Sequence, residues 1–332
     1  MTLPLRNLGR TERTVSVIGL GLAALGRPGY INLDHRGDLP QRDVEGMERR
    51  CHDVLDSAWE AGVRYVDAAR SYGRAEEFLA SWLRSRHRAS GEPVVGSKWG
   101  YTYTAAWRVD VERHEVKDHS LDALRRQFAE SRAILGDHLA LYQIHSATPE
   151  SGVLDDASVL AALARLRDSG VAVGVSVSGV RQADAVRRAI DIHIDGRPLF
   201  DTVQATWNLL ERSAEAALAE ARDAGLAVIV KEVLANGRLT EHNRDPSFAS
   251  QRRILEGIAA RLGATLDSLA LSAALHRRWS TVVLSGAATV DQLAANLRAV
   301  DVAWDDAAGA ELGILVEDAR DYWATRAALP WN

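Results

Sequence analysis

Three stretches decide how this chain folds: EAGVRYVD at 60–67, DSGVAVGVS at 168–176 and DAGLAVIV at 223–230. Each sets an acid, a small residue and a glycine between a helical pattern and an apolar run. A glycine at that point can take the left-handed conformation that closes a helix, so Gly62, Gly170 and Gly225 read as C-terminal caps and the residues after them as strands. A helix-to-strand connection repeated along a chain is what a parallel sheet covered by helices requires.

Working outward, short runs rich in Val, Ile and Ala recur. They are TVSVIGLG from Thr14, VRYVDAA from Val63, PVVGSKWG from Pro93, LALYQIH from Leu139, VAVGVSVSG from Val171, DTVQATWN from Asp201, LAVIVKEV from Leu226 and TVVLSG from Thr281. Runs this short and this continuously apolar suit strands buried on both faces. Helical patterns lie between them. In HSLDALRRQFAESRAILG, Leu121, Leu124, Phe128, Ile134 and Leu135 form one apolar stripe and Gly136 stands where the helix should end. The alternation, with no Pro/Gly/Ser-rich linker, predicts an α/β chain with a single closed (β/α)8 TIM barrel as one domain over residues 1–332, ahead of an open doubly wound sheet. LPLRNLGRTERTVS, with a turn near Gly9 and Arg10, reads as an N-terminal hairpin. The stretch from Trp304 to Asn332 reads as a C-terminal extra helix and a short tail.

Composition limits the partners. The 332 residues are 47% hydrophobic and 26% charged, with a net charge of -5. The charges are interleaved, with no basic stripe to follow a phosphate backbone, which argues against nucleic acid. A lone cysteine, Cys51, excludes an internal disulfide, and MTLPLRNLGR lacks the apolar core of a signal peptide. No apolar run is long enough to span a bilayer. The expectation is a cytoplasmic protein with no membrane partner.

The segments after strands one, three and seven are long: GRPGYINLDHRGDLPQRD, GYTYTAAWRVDVERHEVK and LANGRLTEHNRDPSFASQ. All three would emerge at the C-terminal face of the barrel, where barrel enzymes carry their chemistry. Asp67 ends strand two, Lys98 strand three and His145 strand four, and Tyr72 follows strand two. A lysine beside a phenol favours phenolate and lowers its pKa, while a carboxylate beside the lysine keeps the ammonium charged. The phenol then serves as a proton donor, and a neutral histidine on the next strand can orient a carbonyl.

With these residues in place, the chain resembles the aldo-keto reductase superfamily over nearly its whole length. The resemblance runs through VIGLG, VDAARSYG, VGSKWG, LYQIH, GVSVSG, VQATWNLLER, LANGRLT and LSGAATVDQLAANL. It implies a (β/α)8 barrel, a nicotinamide cofactor held without a Rossmann domain, and carbonyl–alcohol interconversion with Asp67, Tyr72, Lys98 and His145 as the catalytic tetrad. It further implies that Ser176 and Gln204 bond the carboxamide and that Gly21 lets the backbone approach the cofactor. Gln292 and Asn296 fall around the adenosine, with Leu234, Gly286 and Thr289 completing the cofactor set.

The chain departs from the family pattern in places. Val177 stands where many relatives have Asn. Lys231, followed by Glu232, replaces an aromatic ring that stacks on the nicotinamide; it reaches the pyrophosphate or substrate, or simply pairs with Glu232. Gly286, Ala287 and Ala288 stand where relatives place a Lys, Ser or Arg for a 2′-phosphate. The helix start after them can still offer backbone N–H groups, and Arg298 is a further candidate. The cofactor expectation is NADPH slightly ahead of NADH.

Tyr30, Trp99, Tyr101 and Trp107, on or beside the long loops, are the expected substrate pocket for a small carbonyl or sugar. Trp323 and Trp331 are read first as packing residues of the tail. Gly19-x-Gly21-x-x-Ala24 is no Rossmann fingerprint, because Pro28, Gly29, Asn32 and Pro40 break the helix that should follow. His114 and His119 lack metal-ligand spacing, so no metal is expected. The reading is an NAD(P)H-dependent oxidoreductase with Tyr72 as general acid and base. An NAD-dependent aldose dehydrogenase and a cofactor-holding regulatory module are the alternatives, and the oligomeric state is left open.

Overall fold

The structure, a computed structural model, describes residues 3–33, 37, 39–85 and 91–331. Residues 34–36 and 38 of the long segment after the first barrel strand, and Asn332 of the tail, lie outside the described residues.

Eight strands close a parallel barrel. In chain order they are β3 (Ile18–Gly21), β4 (Tyr65–Asp67), β5 (Val94–Trp99), β8 (Leu139–Ala147), β9 (Ala172–Val177), β12 (Thr202–Thr206), β13 (Ala227–Lys231) and β14 (Val282–Ser285). Consecutive strands are neighbours, and β14 returns to pair with β3 through Val283, Leu284 and Ser285. The remaining strands form three small antiparallel hairpins: β1 (Leu5–Asn7) with β2 (Thr14–Ser16), β6 (Tyr101–Tyr103) with β7 (Glu115–Lys117), and β10 (His193–Ile194) with β11 (Arg197–Pro198).

Helices α1 (Val44–Glu60), α2 (Ala75–Ser85), α3 (Leu121–Leu135), α4 (Ala157–Asp168), α5 (Gln182–Asp191) and α6 (Glu215–Asp223) surround the barrel. So do α7 (Ala249–Arg261), α8 (Leu266–Leu275) and α9 (Val290–Leu297). Asp43, Ser120, Asp156, Thr265 and Thr289 cap their helices by accepting first-turn N–H groups. At the other ends Gly62, Gly170 and Gly225 have φ of 94°, 92° and 88°, the caps expected of the repeated stretches.

Several elements differ from the sequence reading, each for a physical reason. TVSVIGLG is two strands, because Thr14–Ser16 pairs with Leu5–Asn7 and only Ile18–Gly21 enters the barrel. The N-terminal hairpin seals the barrel floor: Leu8 and Val15 are wholly buried with Tyr65, Leu141, Ala227, Ile229 and Val282. The segment after β5 is not an open loop, since it folds back as the β6–β7 hairpin. The buried face of α3 includes Gln127 and Ser131 beside Leu124 and Leu135, while Leu121, Phe128 and Ile134 are only partly covered. The C-terminal stretch holds two helices, α10 (Asp306–Glu311) and α11 (Ala319–Ala328). Among the described residues, no single helix is long and apolar enough to cross a membrane.

Candidate active site

The parallel barrel brings Asp67 and Lys98 together from neighbouring strand ends. The Lys98 ammonium is bonded to the Asp67 carboxylate, donates to the Ala68 carbonyl at 3.0 Å, and lies 3.4 Å from the Tyr72 hydroxyl. The other carboxylate oxygen of Asp67 accepts from the Tyr65 hydroxyl at 3.0 Å, Gln204 Nε2 at 3.1 Å and Gln143 Nε2 at 3.3 Å. Both oxygens of this buried carboxylate are therefore used, which is what allows an ion pair to persist out of water.

Tyr72 sits on a tight turn between β4 and α2, and that turn is clamped by the loop after β3. The Arg74 N–H donates to the Gly26 carbonyl at 2.7 Å. A Cβ on Gly26 would lie 2.2 Å from the Tyr72 carbonyl oxygen and 2.5 Å from Ala75 Cβ, so the two loops meet at a distance only glycine permits. Arg27, next in sequence, is buried. It donates to the Ser71 carbonyl and to Glu115, both at 2.9 Å, and its guanidinium lies 5.4 Å from the Tyr72 ring centre.

His145 lies just before a bulge in β8, where the register with β9 shifts and Ser146 takes φ 53°. Its ring stands edge-on to Tyr72 at 5.5 Å and to Tyr101 at 5.0 Å. Burial, then the charges of Lys98, Lys231 and Arg27, hold its pKa well below the usual histidine value, so the ring is neutral at pH 7. Burial, then Asp67, push the Tyr72 phenol well above its usual value. This corrects the expectation that Lys98 lowers it. The Asp67 carboxylate bonded to that ammonium offsets its field at the phenol, and desolvation of the phenolate decides the direction.

Around these groups opens a cavity with an empty volume of about 1570 Å³, its mouth included. Asp67, Tyr72 and His145 line it, with Tyr30 and Tyr101 from the expected substrate set. Of the expected cofactor residues, Gly21 and Gln204 line it beside Asp67, Lys231 and Leu234 line it from β13 and the loop after it, and Gly286, Gln292 and Asn296 from the end of β14 and from α9.

The other expected site residues face elsewhere. Trp99 is wholly buried outside the cavity lining, edge-on to His119 at 5.7 Å. Trp107 donates to the Arg42 carbonyl at 2.7 Å and packs on Phe78. The Ser176 hydroxyl is buried and accepts the Ser146 N–H at 3.3 Å, and Thr289 caps α9, so neither reaches the lining. Trp331 does reach it, stacking on His114 at 4.1 Å and lying over Arg27 at 4.7 Å.

A second charged group, Lys231, Glu232 and Arg326, lines the same cavity. Lys231 donates to the Thr206 hydroxyl at 2.9 Å and stands 4.0 Å from Glu232, which Arg326 of α11 grips through Nε at 2.9 Å. Against the upward pull of burial, Arg326 and Lys231 hold the Glu232 carboxyl down at about 2. Burial lowers Lys231 to about 8, with Glu232 opposing. The expected pairing of Lys231 with Glu232 is thus present, shared with Arg326. Sequence reasoning missed Arg27, Glu115 and Arg326, which only tertiary closure brings to the site.

The cavity suits a long polar guest. His145 Nδ1, Arg27 Nε, Asn236 Oδ1 and Asp267 Oδ1 are buried without hydrogen-bond partners, and all four residues line it. A Cβ on Gly286 would meet nothing within 4 Å, so the backbone there borders open space. Groups of this spread and polarity fit a dinucleotide. Among the described residues, no cluster of three or more His, Cys, Asp or Glu is placed to hold a metal.

Residues 17–316 match the model of the aldo/keto reductase family. The chain is 27% identical over 326 residues to the NADH-specific methylglyoxal reductase of Escherichia coli, covering 90% of this chain and 94% of that one. It is 30% identical over 267 residues to the D-threo-aldose 1-dehydrogenase of a Pseudomonas species, covering 73% and 75%. An aldo-keto reductase of Bacillus halodurans, solved in its holo form, superposes with a TM-score of 0.73 at 20% identity, covering 96% of this chain and 97% of that one. The chain belongs to the aldo/keto reductase family of NAD(P)-dependent oxidoreductases.

Proposed function

We propose that this family member interconverts the carbonyl of an aldehyde, ketone or sugar lactol and the corresponding alcohol, with Tyr72 as the acid and base. The whole chain, 1–332, acts as one catalytic unit on a small-molecule substrate in the cytoplasm, a setting consistent with a single, buried cysteine. The observation that carries the reading is the Tyr72 hydroxyl on the cavity wall, kept protonated by burial, 3.4 Å from Lys98 and beside a neutral His145.

A bound reduced nicotinamide supplies the hydride. As negative charge grows on the substrate oxygen, Tyr72 gives it a proton and His145 donates a hydrogen bond. Lys98 then faces the phenolate that remains, and Asp67 holds the ammonium in place. In the reverse direction the same phenolate takes the proton back. A phenol protonated at rest is ready to act as the acid of the reduction near neutral pH. Gly21, Gln204, Leu234, Gln292 and Asn296 line the cavity and would hold the cofactor there. Ser176 would reach the carboxamide only if its hydroxyl released the Ser146 N–H.

The two named relatives act on small polar carbonyl or sugar compounds, and Arg27, Lys231 and Arg326 give this cavity the same polar character. Oxidation of an aldose, as in the Pseudomonas relative, is the second reading. A panel of aldehydes, ketones and sugars assayed in both directions with both dinucleotides decides between them. Tight binding of cofactor without turnover of any carbonyl or sugar would instead favour a cofactor-holding module.

A further inference from the structure

The cavity carries its cations at one end. Arg27 is paired with Glu115, and Lys231 and Arg326 share Glu232, all close to Tyr72 and His145. Beyond them the lining runs past Ser285, Gly286 and Ala287 to Gln292 and Asn296, and there the described lining residues include no lysine or arginine. Arg298 is exposed and outside the lining. The backbone cradle expected at the start of α9 is already engaged. Gln292 Oε1 accepts the Ala288 N–H at 2.8 Å, and Thr289 Oγ1 accepts the Gln292 N–H at 3.2 Å.

The helix α8, which packs on β14 and on α9, presents an acid to this part of the cavity. Asp267, in the first turn of α8, lines the cavity with Oδ1 buried and without a hydrogen-bond partner. Its charged surroundings are His242 and Glu241, both on the loop after β13. Burial raises its carboxyl to about 6, with His242 drawing it down and Glu241 pushing it up, so it is mostly ionised at neutral pH.

We propose that Asp267 selects the dinucleotide: its carboxylate accepts the adenosine ribose hydroxyls of NADH and repels the 2′-phosphate of NADPH. This rests on the proposed function, in which the cavity holds a dinucleotide with its nicotinamide at Tyr72. A 2′-phosphate adds about two negative charges and three acceptor oxygens. Here it meets a carboxylate and, His242 apart, no basic side chain among the described lining residues. A ribose hydroxyl brings the donor that the unpartnered Oδ1 lacks. The choice reverses the slight lead that NADPH held on resemblance alone.

The test is calorimetric titration of the full chain with NADH and NADPH, repeated for Asp267→Asn and Asp267→Ser, with ADP and 2′,5′-ADP as adenosine-half probes. The natural chain should bind NADH about tenfold or more tighter than NADPH, and ADP tighter than 2′,5′-ADP, as expected where like charges meet. Both variants should shrink that ratio by about tenfold, mainly by tightening NADPH, with thermal unfolding confirming that they fold. NADPH binding as tightly as NADH to the natural chain overturns the inference, as does an unchanged ratio in both variants. Failure of both dinucleotides to bind removes the proposed function, and this inference with it.

Discussion

Lys98 joins Asp67 to Tyr72: its ammonium is bonded to the Asp67 carboxylate, donates to the Ala68 carbonyl and lies 3.4 Å from the Tyr72 hydroxyl. Because the pair is close to neutral as a unit, it does little to ionise the phenol in advance. It is placed to receive the charge left when the phenol gives up its proton. Tyr72→Phe should therefore lower kcat by about 10²- to 10⁴-fold, the usual worth of a general acid. Dinucleotide affinity, read by titration, should stay within about twofold, because the hydroxyl acts on substrate.

Asp67 is the hub of four donors, Lys98, Tyr65, Gln143 and Gln204. Asp67→Asn keeps the shape but leaves a buried ammonium without its counter-charge and offers one carbonyl oxygen where there were two. The expected loss is about 3–5 kcal/mol of stability by urea denaturation. The double variant Asp67→Asn, Lys98→Met should recover part of it. No recovery would show that the pair is not coupled.

Gly26→Ala tests how the Tyr72 turn is held. The added methyl would meet Tyr72 backbone at 2.2 Å, and backbone cannot swing aside as a side chain can. A loss of about 1–3 kcal/mol and a fall in turnover are expected, with the circular dichroism of the barrel unchanged. Unaltered kinetics in this variant would mean that the loop contact does not set the position of the phenol.

Glu232 makes acid stability predictable in sign. Its folded pKa of about 2 lies below the ordinary glutamate value of 4.5, so its contribution is complete above the unfolded value and fades as pH falls from there through about 2. Glu232→Gln should be less stable than the natural chain at pH 7 and show a shallower decline across that window in urea midpoints. Arg326 remains partly open to solvent, which keeps the neutral-pH loss to about 3 kcal/mol or less.

The barrel and the grouping of Asp67, Tyr72, Lys98 and His145 were legible because both are written in local pattern. Asp67, Lys98 and His145 each end an apolar run, and runs of that kind can only be buried strands. The pocket aromatics were not legible from loop position alone. Neighbours on a strand point to opposite faces, so once Lys98 turns toward Asp67, Trp99 must point the other way, and it is buried outside the cavity lining. Applying that period of two to β5 would have removed Trp99 from the pocket. Arg27 and Arg326 carried no such signal. One follows a glycine in a loop and the other lies on a late helix, and only long-range closure buries them beside Tyr72 and Glu232. The same closure buries Tyr72, and that burial, with the Asp67 carboxylate second, reversed the expected direction of its pKa.

The seam between β14 and β3 joins residues near 283 to residues near 18, and Arg326 and Trp331 complete the cavity wall later still. Such distant contacts slow folding, because long stretches of chain must be brought together before any reward is collected. On the ribosome, the first hairpin and its strand must wait without their partner until almost the whole polypeptide has emerged. A nascent chain released before Val282 therefore has no finished floor, no closed ring and no reaction chamber, and its exposed β3 edge is the surface a chaperone would have to shield.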